Sequence, residues 1–392
     1  MVNRRRRRYG PATMQPKDLR VALFSGNYNY VRDGANQALN LLVGHLLAQG
    51  VAVRVYSPTV PQPAFSATGD LVDVPAIPIP GGRGEYRIAC GLPAKVRRDL
   101  EAFAPNVVHV SAPDILGHRA ISWARSRGIT TVASLHTRFE TYLRYYHLSA
   151  LERPLERMLA RFYGRVDTVL VPGDSMAQIL RGWGVTTPIG IWSRGVNHDR
   201  FSPERRDMPW RRSLGVGDDE LAVGFVGRLV KEKGLDVFAD IARALTERNV
   251  RHRVLVIGDG PARDWFAKEV PDAAFAGFQR GDALGRAVAS LDTFFNPSVT
   301  ETFGNVTLEA MAAAVPVVAA HATGTTDLVE EGVTGFLVSP RDPAAYADAI
   351  ARIAGDPALR RSMGEAGHAR AAGYRWDAIN QAVLDTYLAL KN

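Results

Sequence analysis

The sequence holds a single cysteine, Cys90, among its 392 residues. That excludes an intramolecular disulfide and fits a reducing compartment. With no histidine or asparagine context that would mark a nucleophile, Cys90 reads as buried packing. Long apolar runs are also missing: none approaches the roughly 18 residues a membrane span needs. The basic N-terminus is not followed by an apolar stretch with a small-residue cleavage site, so it does not read as a secretory signal. A D-x-D metal-binding motif occurs nowhere in the chain, and no recognisable nucleic-acid module follows the basic start. The expectation from these absences is a cytoplasmic protein without a nucleic-acid partner.

What is present is the composition of a soluble globular protein, 46% apolar and 22% charged, at a length that calls for two domains of about 150–200 residues. The net charge is +8, much of it in the unbroken run Arg4 to Arg8. Residues 1–17 read as a disordered basic tail. Its functional reading is attraction to anionic lipid, worth about 1 kcal/mol per basic residue near the surface. That would add peripheral contact at the inner face of the plasma membrane.

From Leu19 the chain alternates strand and helix. Leu19–Gly26 is an apolar strand run, Gly34–Gln49 carries helical periodicity, Gly50 stops that helix, and Val51–Tyr56 is the next strand. This opening implies a parallel sheet. After a Pro/Gly-rich loop, Val60 to Gly84, strands follow at Val107–Val110, Ile129–Leu135 and Thr168–Val171. A helix lies at Ile115–Arg127, and one long helical region covers Thr141–Val166. The pattern halts at the polar stretch Asn197–Asp207 and restarts at Leu221–Gly227. Further strands are expected at Arg253–Ile257, Ala273–Ala276, Thr293–Asn296 and Pro316–Ala320. The economical fold is α/β, with two doubly wound Rossmann-like domains facing a cleft, residues 18–200 and 201–372. A last helical segment, 373–392, is placed to pack back across the linker.

Such sheets bind ligands at the carboxyl ends of their strands, and that is where the second domain concentrates its charge. Arg228 and Lys233 follow its first strand directly; arginine grips phosphate as a fork and lysine as a point charge. Gly258-Asp259-Gly260 ends another strand, where a plain tight turn is the simpler reading and Asp259 is structural. Glu301 and Glu309 bracket Thr302-Phe303-Gly304-Asn305 around an expected helix start at Gly304. A helix N-terminus favours an anion, so carboxylates beside it are suited to hydroxyl groups instead. An anion together with hydroxyls describes a sugar phosphate or a nucleotide sugar. Alone, the glutamate pair would more often be two surface acids.

In this order, Gly227-Arg228…Lys233-Gly234, Gly258-Asp259-Gly260 and Pro297-Ser298…Glu301-Thr302-Phe303-Gly304-Asn305…Glu309 resemble glycosyltransferase family 4. The likeness covers nearly the whole chain from Leu19. Asp33-Gly34 with Asn40, His136-Thr137-Arg138-Phe139 and Ser193-Arg194-Gly195-Val196 point to the branch of diacylglycerol-linked mannosyl- and glucosyltransferases and sulfoquinovosyl diacylglycerol synthases. The resemblance implies a GT-B fold and a retaining, metal-independent hexosyltransferase using a UDP- or GDP-linked sugar. It implies that Arg228 and Lys233 hold the diphosphate, Glu309 the ribose hydroxyls and Glu301 the donor sugar. Backbone around Phe303 and Gly304 would meet sugar or phosphate, Gly34 would admit the diphosphate, and His136 would lie near the reacting carbon. The acceptor would be a lipid such as a diacylglycerol, carrying a hexose or hexuronic acid away. A soluble or polyprenyl-linked glycan acceptor, or a nucleotide-sugar epimerase or binding protein of the same fold, stay open as alternatives.

The acceptor side is read from the residues after His136. Arg138, Phe139, Tyr142, Arg144, Tyr145, Tyr146 and His147 form an aromatic and basic run, with Asp33 and Arg194 as further acceptor candidates. Arg153, Arg157, Arg161 and Arg165 recur every four residues beside a stripe of Leu151, Leu155, Leu159 and Phe162. The stripe is expected to face the core; the arginines face either water or a membrane surface.

Overall fold

Runs rich in Val, Ile, Leu and Phe that are buried on both faces build parallel sheets, and this chain has two. The computed structural model describes residues 14–78, 86–145, 148–340 and 342–392. The arginine run of the tail falls outside the described residues, as do residues 79–85 of the Pro/Gly-rich loop, Tyr146 and His147. The first domain contains β1 (Arg20–Phe24), β2 (Ala52–Ser57), β3 (Asp70–Asp73), a small antiparallel pair β4 (Ala76–Pro78) and β5 (Arg87–Ala89), then β6 (Val107–Val110), β7 (Thr130–Ser134), β8 (Thr168–Val171) and β9 (Ile189–Ile191). Its seven-stranded sheet runs β3-β2-β1-β6-β7-β8-β9. The second domain contains β10 (Leu221–Val226), β11 (His252–Ile257), β12 (Ala274–Gly277), β13 (Thr293–Asn296), β14 (Val317–Ala320) and β15 (Gly335–Val338). Its sheet runs β12-β11-β10-β13-β14-β15. Both orders reverse direction beside the first strand, at β1/β6 and at β10/β13. Those reversals are the switch points where doubly wound sheets open a crevice for ligand.

The helices that aim functional groups have local causes. Asp33 caps the helix Gly34–Ala48, its carboxylate accepting from the Asn36 N–H at 2.8 Å. Leu39, Leu42 and Leu46 of that helix are buried, and Val383, Leu384 and Tyr387 of the terminal helix Trp376–Ala389 join the same apolar cluster. The end of the chain therefore packs on the first domain. The connecting segment is tied to the second domain, where Arg206 and Arg211 both reach Asp292, at 2.5 and 2.6 Å.

Several elements differ from the sequence reading. The long helical region at 141–166 is broken into Phe139–Tyr145 and Glu152–Tyr163, with a tight turn at Ser149–Leu151 between them. Pro154 explains the break: it lacks an N–H and fits only the first turn of a new helix. The strands of the first domain do not end at β8, because β9 adds an edge, and β3 and β15 likewise extend their sheets. Cys90 is exposed rather than buried. It follows β5, a three-residue strand too short to cover it. Along Glu152–Tyr163, Leu159 and Phe162 are core residues with Leu155 packed against them, as expected, but Leu151 is 51% exposed. No helix among the described residues is long and apolar enough to cross a membrane.

Candidate active site

β10 carries the chain to the switch point and releases Gly227 and the exposed Arg228 at its carboxyl end. A single tight turn, Lys231–Lys233, then precedes the helix Leu235–Glu247. The adjacent strand β13 ends one loop before Glu301. The two loops meet in an ion pair: Lys233 Nζ lies 2.5 Å from Glu301 Oε1, with both side chains partly exposed. The nearby Gly258-Asp259-Gly260 turn packs on the Arg228 loop, with Leu229 N–H donating to the Asp259 carbonyl at 3.0 Å. It is therefore a structural partner of that loop.

Gly304 begins the helix Asn305–Ala312 with φ of 95°, in the left-handed region where a Cβ is strained. Glu309 follows one turn in and is half-buried. Burial pushes its carboxyl up to about 8, with the Arg200 charge working against the rise. Phe303 is 4% exposed and its ring packs near Tyr374, so only its backbone is offered to a ligand. A helix N-terminus favours an anion, and this helix starts four residues after Glu301.

The first domain meets this loop with His136 and Gly34. A Cβ built on Gly34 would lie 2.3 Å from the Asn305 side-chain nitrogen. A side chain at position 34 would therefore displace the Asn305 side chain at the helix start of the other domain. Thr302 Oγ1 donates to the His136 carbonyl at 3.0 Å, and Thr323 Oγ1 donates to the Glu301 carbonyl at 2.8 Å. Arg138 joins both sides, donating to Thr323 Oγ1 at 3.3 Å and to the buried Glu140 at 2.7 Å. Farther along, Ser175 gives its N–H and hydroxyl to the Asp327 carboxylate, at 3.0 and 2.6 Å. A cavity of 630 Å³ opens on that side, lined by Gly173, Ser175, His321, Asp327, Arg370 and Tyr374; of the expected site residues it includes only Phe303.

The imidazole of His136 is arranged differently from the sequence expectation. Both ring nitrogens are taken by the first domain, Nδ1 by Arg194 Nη2 at 2.7 Å and Nε2 by Ser134 Oγ at 2.8 Å. The atom of His136 that meets the second domain is its carbonyl oxygen. Burial first, and then the charges of Arg194 and His109, hold the ring well below its usual range, so it is neutral. Arg194 is 4% exposed and also donates to the carbonyls of Trp192 and Ser193. Burial lowers its guanidinium to about 10 while the Asp33 charge opposes that. Asp33 and Arg194 are thus electrostatic neighbours. Of the other acceptor candidates, Arg138 is committed to Glu140 and Thr323. The side chains of Tyr142, Arg144 and Tyr145 lie outside what is described, as do Tyr146 and His147 altogether.

Sequence reading missed the groups that hold this wall in place: Ser134, His109, Trp192 and the threonines Thr302 and Thr323. One signal was available. His109 interrupts Val107-Val108-His109-Val110, and a fully buried histidine in an apolar strand requires partners.

Comparison with known proteins gives the assembly its context. Residues 32–200 match the model of glycosyltransferase family 4, and residues 220–356 match that of glycosyl transferases group 1. The chain is 30% identical over 379 residues to a sulfoquinovosyl transferase of Arabidopsis thaliana, covering 94% of this chain and 73% of the relative. It is 30% identical over 380 residues to a GDP-mannose-dependent alpha-mannosyltransferase of Mycolicibacterium smegmatis, covering 95% and 98%. Among solved structures, Anabaena HepE in complex with UDP superposes with a TM-score of 0.75 at 18% identity, over 95% of this chain and 100% of that one. That likeness shows the two-domain GT-B fold. The protein belongs to glycosyltransferase family 4 and is a hexosyltransferase with a nucleotide-sugar donor.

Proposed function

We propose that the protein transfers a hexose or hexuronic acid, with retention of configuration and without a metal ion, from a UDP- or GDP-linked sugar to a lipid acceptor such as a diacylglycerol. The observation that carries the reading is the Lys233–Glu301 pair, 2.5 Å long, at the β10/β13 switch point, next to Thr302, which bonds the His136 carbonyl of the first domain. A partly exposed ion pair of this kind is worth about 0–1 kcal/mol. It therefore exchanges readily for a ligand: Lys233 turns to the diphosphate, and Glu301 to the hydroxyls of the transferred sugar.

Breaking the glycosyl–phosphate bond leaves negative charge on the diphosphate. Fixed positive groups and helix N–H donors aimed at that charge lower the barrier. Arg228, Lys233 and the helix start at Gly304 fill this role, and Glu309 one turn farther takes the ribose diol. In the retaining reaction the acceptor hydroxyl attacks on the face the diphosphate leaves, and the leaving phosphate oxygen takes its proton. In this reading the sugar lies beside the His136 carbonyl, which accepts from Thr302 across the cleft.

The lipid acceptor rests on the resemblance of Asp33-Gly34, His136–Phe139 and Ser193–Val196 to the diacylglycerol-linked branch, and on the surface that follows Arg138. Leu148, Leu151 and Met158 are each roughly half exposed, beside the exposed Arg153, Arg157 and Arg161. Apolar side chains flanked by cations suit a membrane surface. The test is nucleotide release from UDP- and GDP-hexoses in EDTA, with and without diacylglycerol in mixed micelles. Release that depends on the lipid supports the acceptor. Equal release with a soluble glycan alone assigns the acceptor to that class, and dependence on added divalent metal removes the metal-free reading.

A further inference from the structure

A line of hydrogen bonds runs from the cleft wall to the last helix of the protein. Arg194 Nη2 donates to His136 Nδ1 at 2.7 Å, and His136 Nε2 lies 2.8 Å from Ser134 Oγ. Ser134 Oγ lies 2.8 Å from His109 Nε2, and His109 Nδ1 lies 2.5 Å from Tyr387 Oη. Ser134, His109 and Tyr387 are between 0% and 1% exposed. Tyr387 belongs to the terminal helix, 278 residues from His109 in the sequence.

Elementary donor rules give the line a direction. A guanidinium only donates, so His136 Nδ1 accepts and the neutral ring carries its proton on Nε2, toward Ser134. The Ser134 hydroxyl hydrogen is then left for His109 Nε2. His109, kept neutral by burial, turns its Nδ1–H to Tyr387. Bonds aligned in one direction polarise and strengthen one another.

A second contact from the same helix reinforces the arrangement. Trp192 Nε1 donates to Asn380 Oδ1 at 3.3 Å. The Trp192 indole stands edge-on to both imidazoles, with centroids 5.9 Å from His109 and 5.3 Å from His136. Asn380 and Tyr387 are seven positions apart and so share one face of their helix. Val107, Val108 and Val110 around His109 show that this strand otherwise fills its place with aliphatic side chains. A polar line buried at this depth fixes a geometry that aliphatic packing would leave free.

We propose that Tyr387 is a positioning residue for His136: Arg194 sets the tautomer of the His136 ring, and Tyr387, through His109 and Ser134, holds its tilt, making the terminal helix part of the active-site scaffold. The effect on catalysis rests on the reading that His136 lies at the donor sugar; the line itself does not. Tyr387→Phe keeps the ring and removes only the hydroxyl. In full-length protein labelled with 15N-histidine, the expected result is movement of the ring-nitrogen signals of both His109 and His136. The wild-type His136 signals should show the Nε2–H tautomer. With a nucleotide-sugar donor, kcat should fall about tenfold, within the range a displaced catalytic group costs, while the donor KM stays within about twofold.

Ser134→Ala cuts the same line from β7. It should give the same kcat loss, with no further loss in the double variant, because both changes break one chain. Should Tyr387→Phe fail to fold, Ser134→Ala carries both readouts alone. Unmoved His136 ring signals overturn the proposal, and so do losses that multiply in the double variant. Ring signals that move while kcat stays constant uphold the positioning line and overturn instead the placement of His136 at the reacting sugar.

Discussion

Thr302 and His136 are joined across the cleft, side-chain hydroxyl to backbone carbonyl, at 3.0 Å. Thr302 adjoins Glu301, and the Glu301 carbonyl is itself held by Thr323, which Arg138 of the first domain grips in turn. The loop that carries the donor-site carboxylate is therefore fixed from both domains at once. Holding Glu301 in place and holding the two domains together thus depend on the same contacts.

Thr302→Val keeps the shape of the side chain and removes the donor. Its expected effect is a loss of about threefold to tenfold in kcat, the range of one net hydrogen bond, with donor affinity nearly unchanged. Steady-state kinetics beside a titration with nucleotide alone separates the two. A loss confined to affinity would place Thr302 in binding rather than in closure.

The Glu309 carboxyl, raised to about 8 by burial, mostly holds its proton at neutral pH before a ligand binds. Two ribose hydroxyls donating to it favour the ionised form. Binding should thus release a proton below pH 8, and affinity should improve as pH rises, approaching about tenfold per unit below that value and flattening above it. A nucleotide sugar is the right probe, since its diphosphate does not titrate in this range. Glu309→Gln should bind more weakly with no such slope. A wild-type affinity that is flat between pH 6.5 and 8 counts against the ribose assignment.

Cys90 offers a simple check on the first domain. An exposed thiol reacts with an aromatic disulfide reagent in the native protein, at a rate set by its thiolate fraction. One equivalent should react promptly without denaturant. Reaction only after unfolding would return Cys90 to the interior.

Legibility in the sequence followed the range of the interactions. Arg228, Lys233, Glu301 and Glu309 could be placed at one sheet edge because each follows a strongly apolar strand or opens the next helix, and a strand's carboxyl end is a local inference. The alternation itself gave both sheets. β9 was not legible, since three residues with Gly190 at the centre carry no strand pattern. The break before Glu152 was legible in principle through Pro154, but the arginine spacing suggested continuity. Cys90 misled because cysteine is usually buried, whereas this one follows a short strand pair. Nothing local connects Tyr387 to His109, and only the return of the terminal helix to the first domain brings them together.

Steady-state turnover of Lys233→Ala with the preferred nucleotide sugar tests the central claim most directly, because that claim is that Lys233 leaves Glu301 to hold the departing diphosphate. Removing a preorganised charge of this kind costs about 100- to 1,000-fold in kcat. The account predicts a loss of that size in a protein whose thermal unfolding matches the parent within a few degrees. Turnover within a few-fold of the parent, in an equally stable variant, would contradict it.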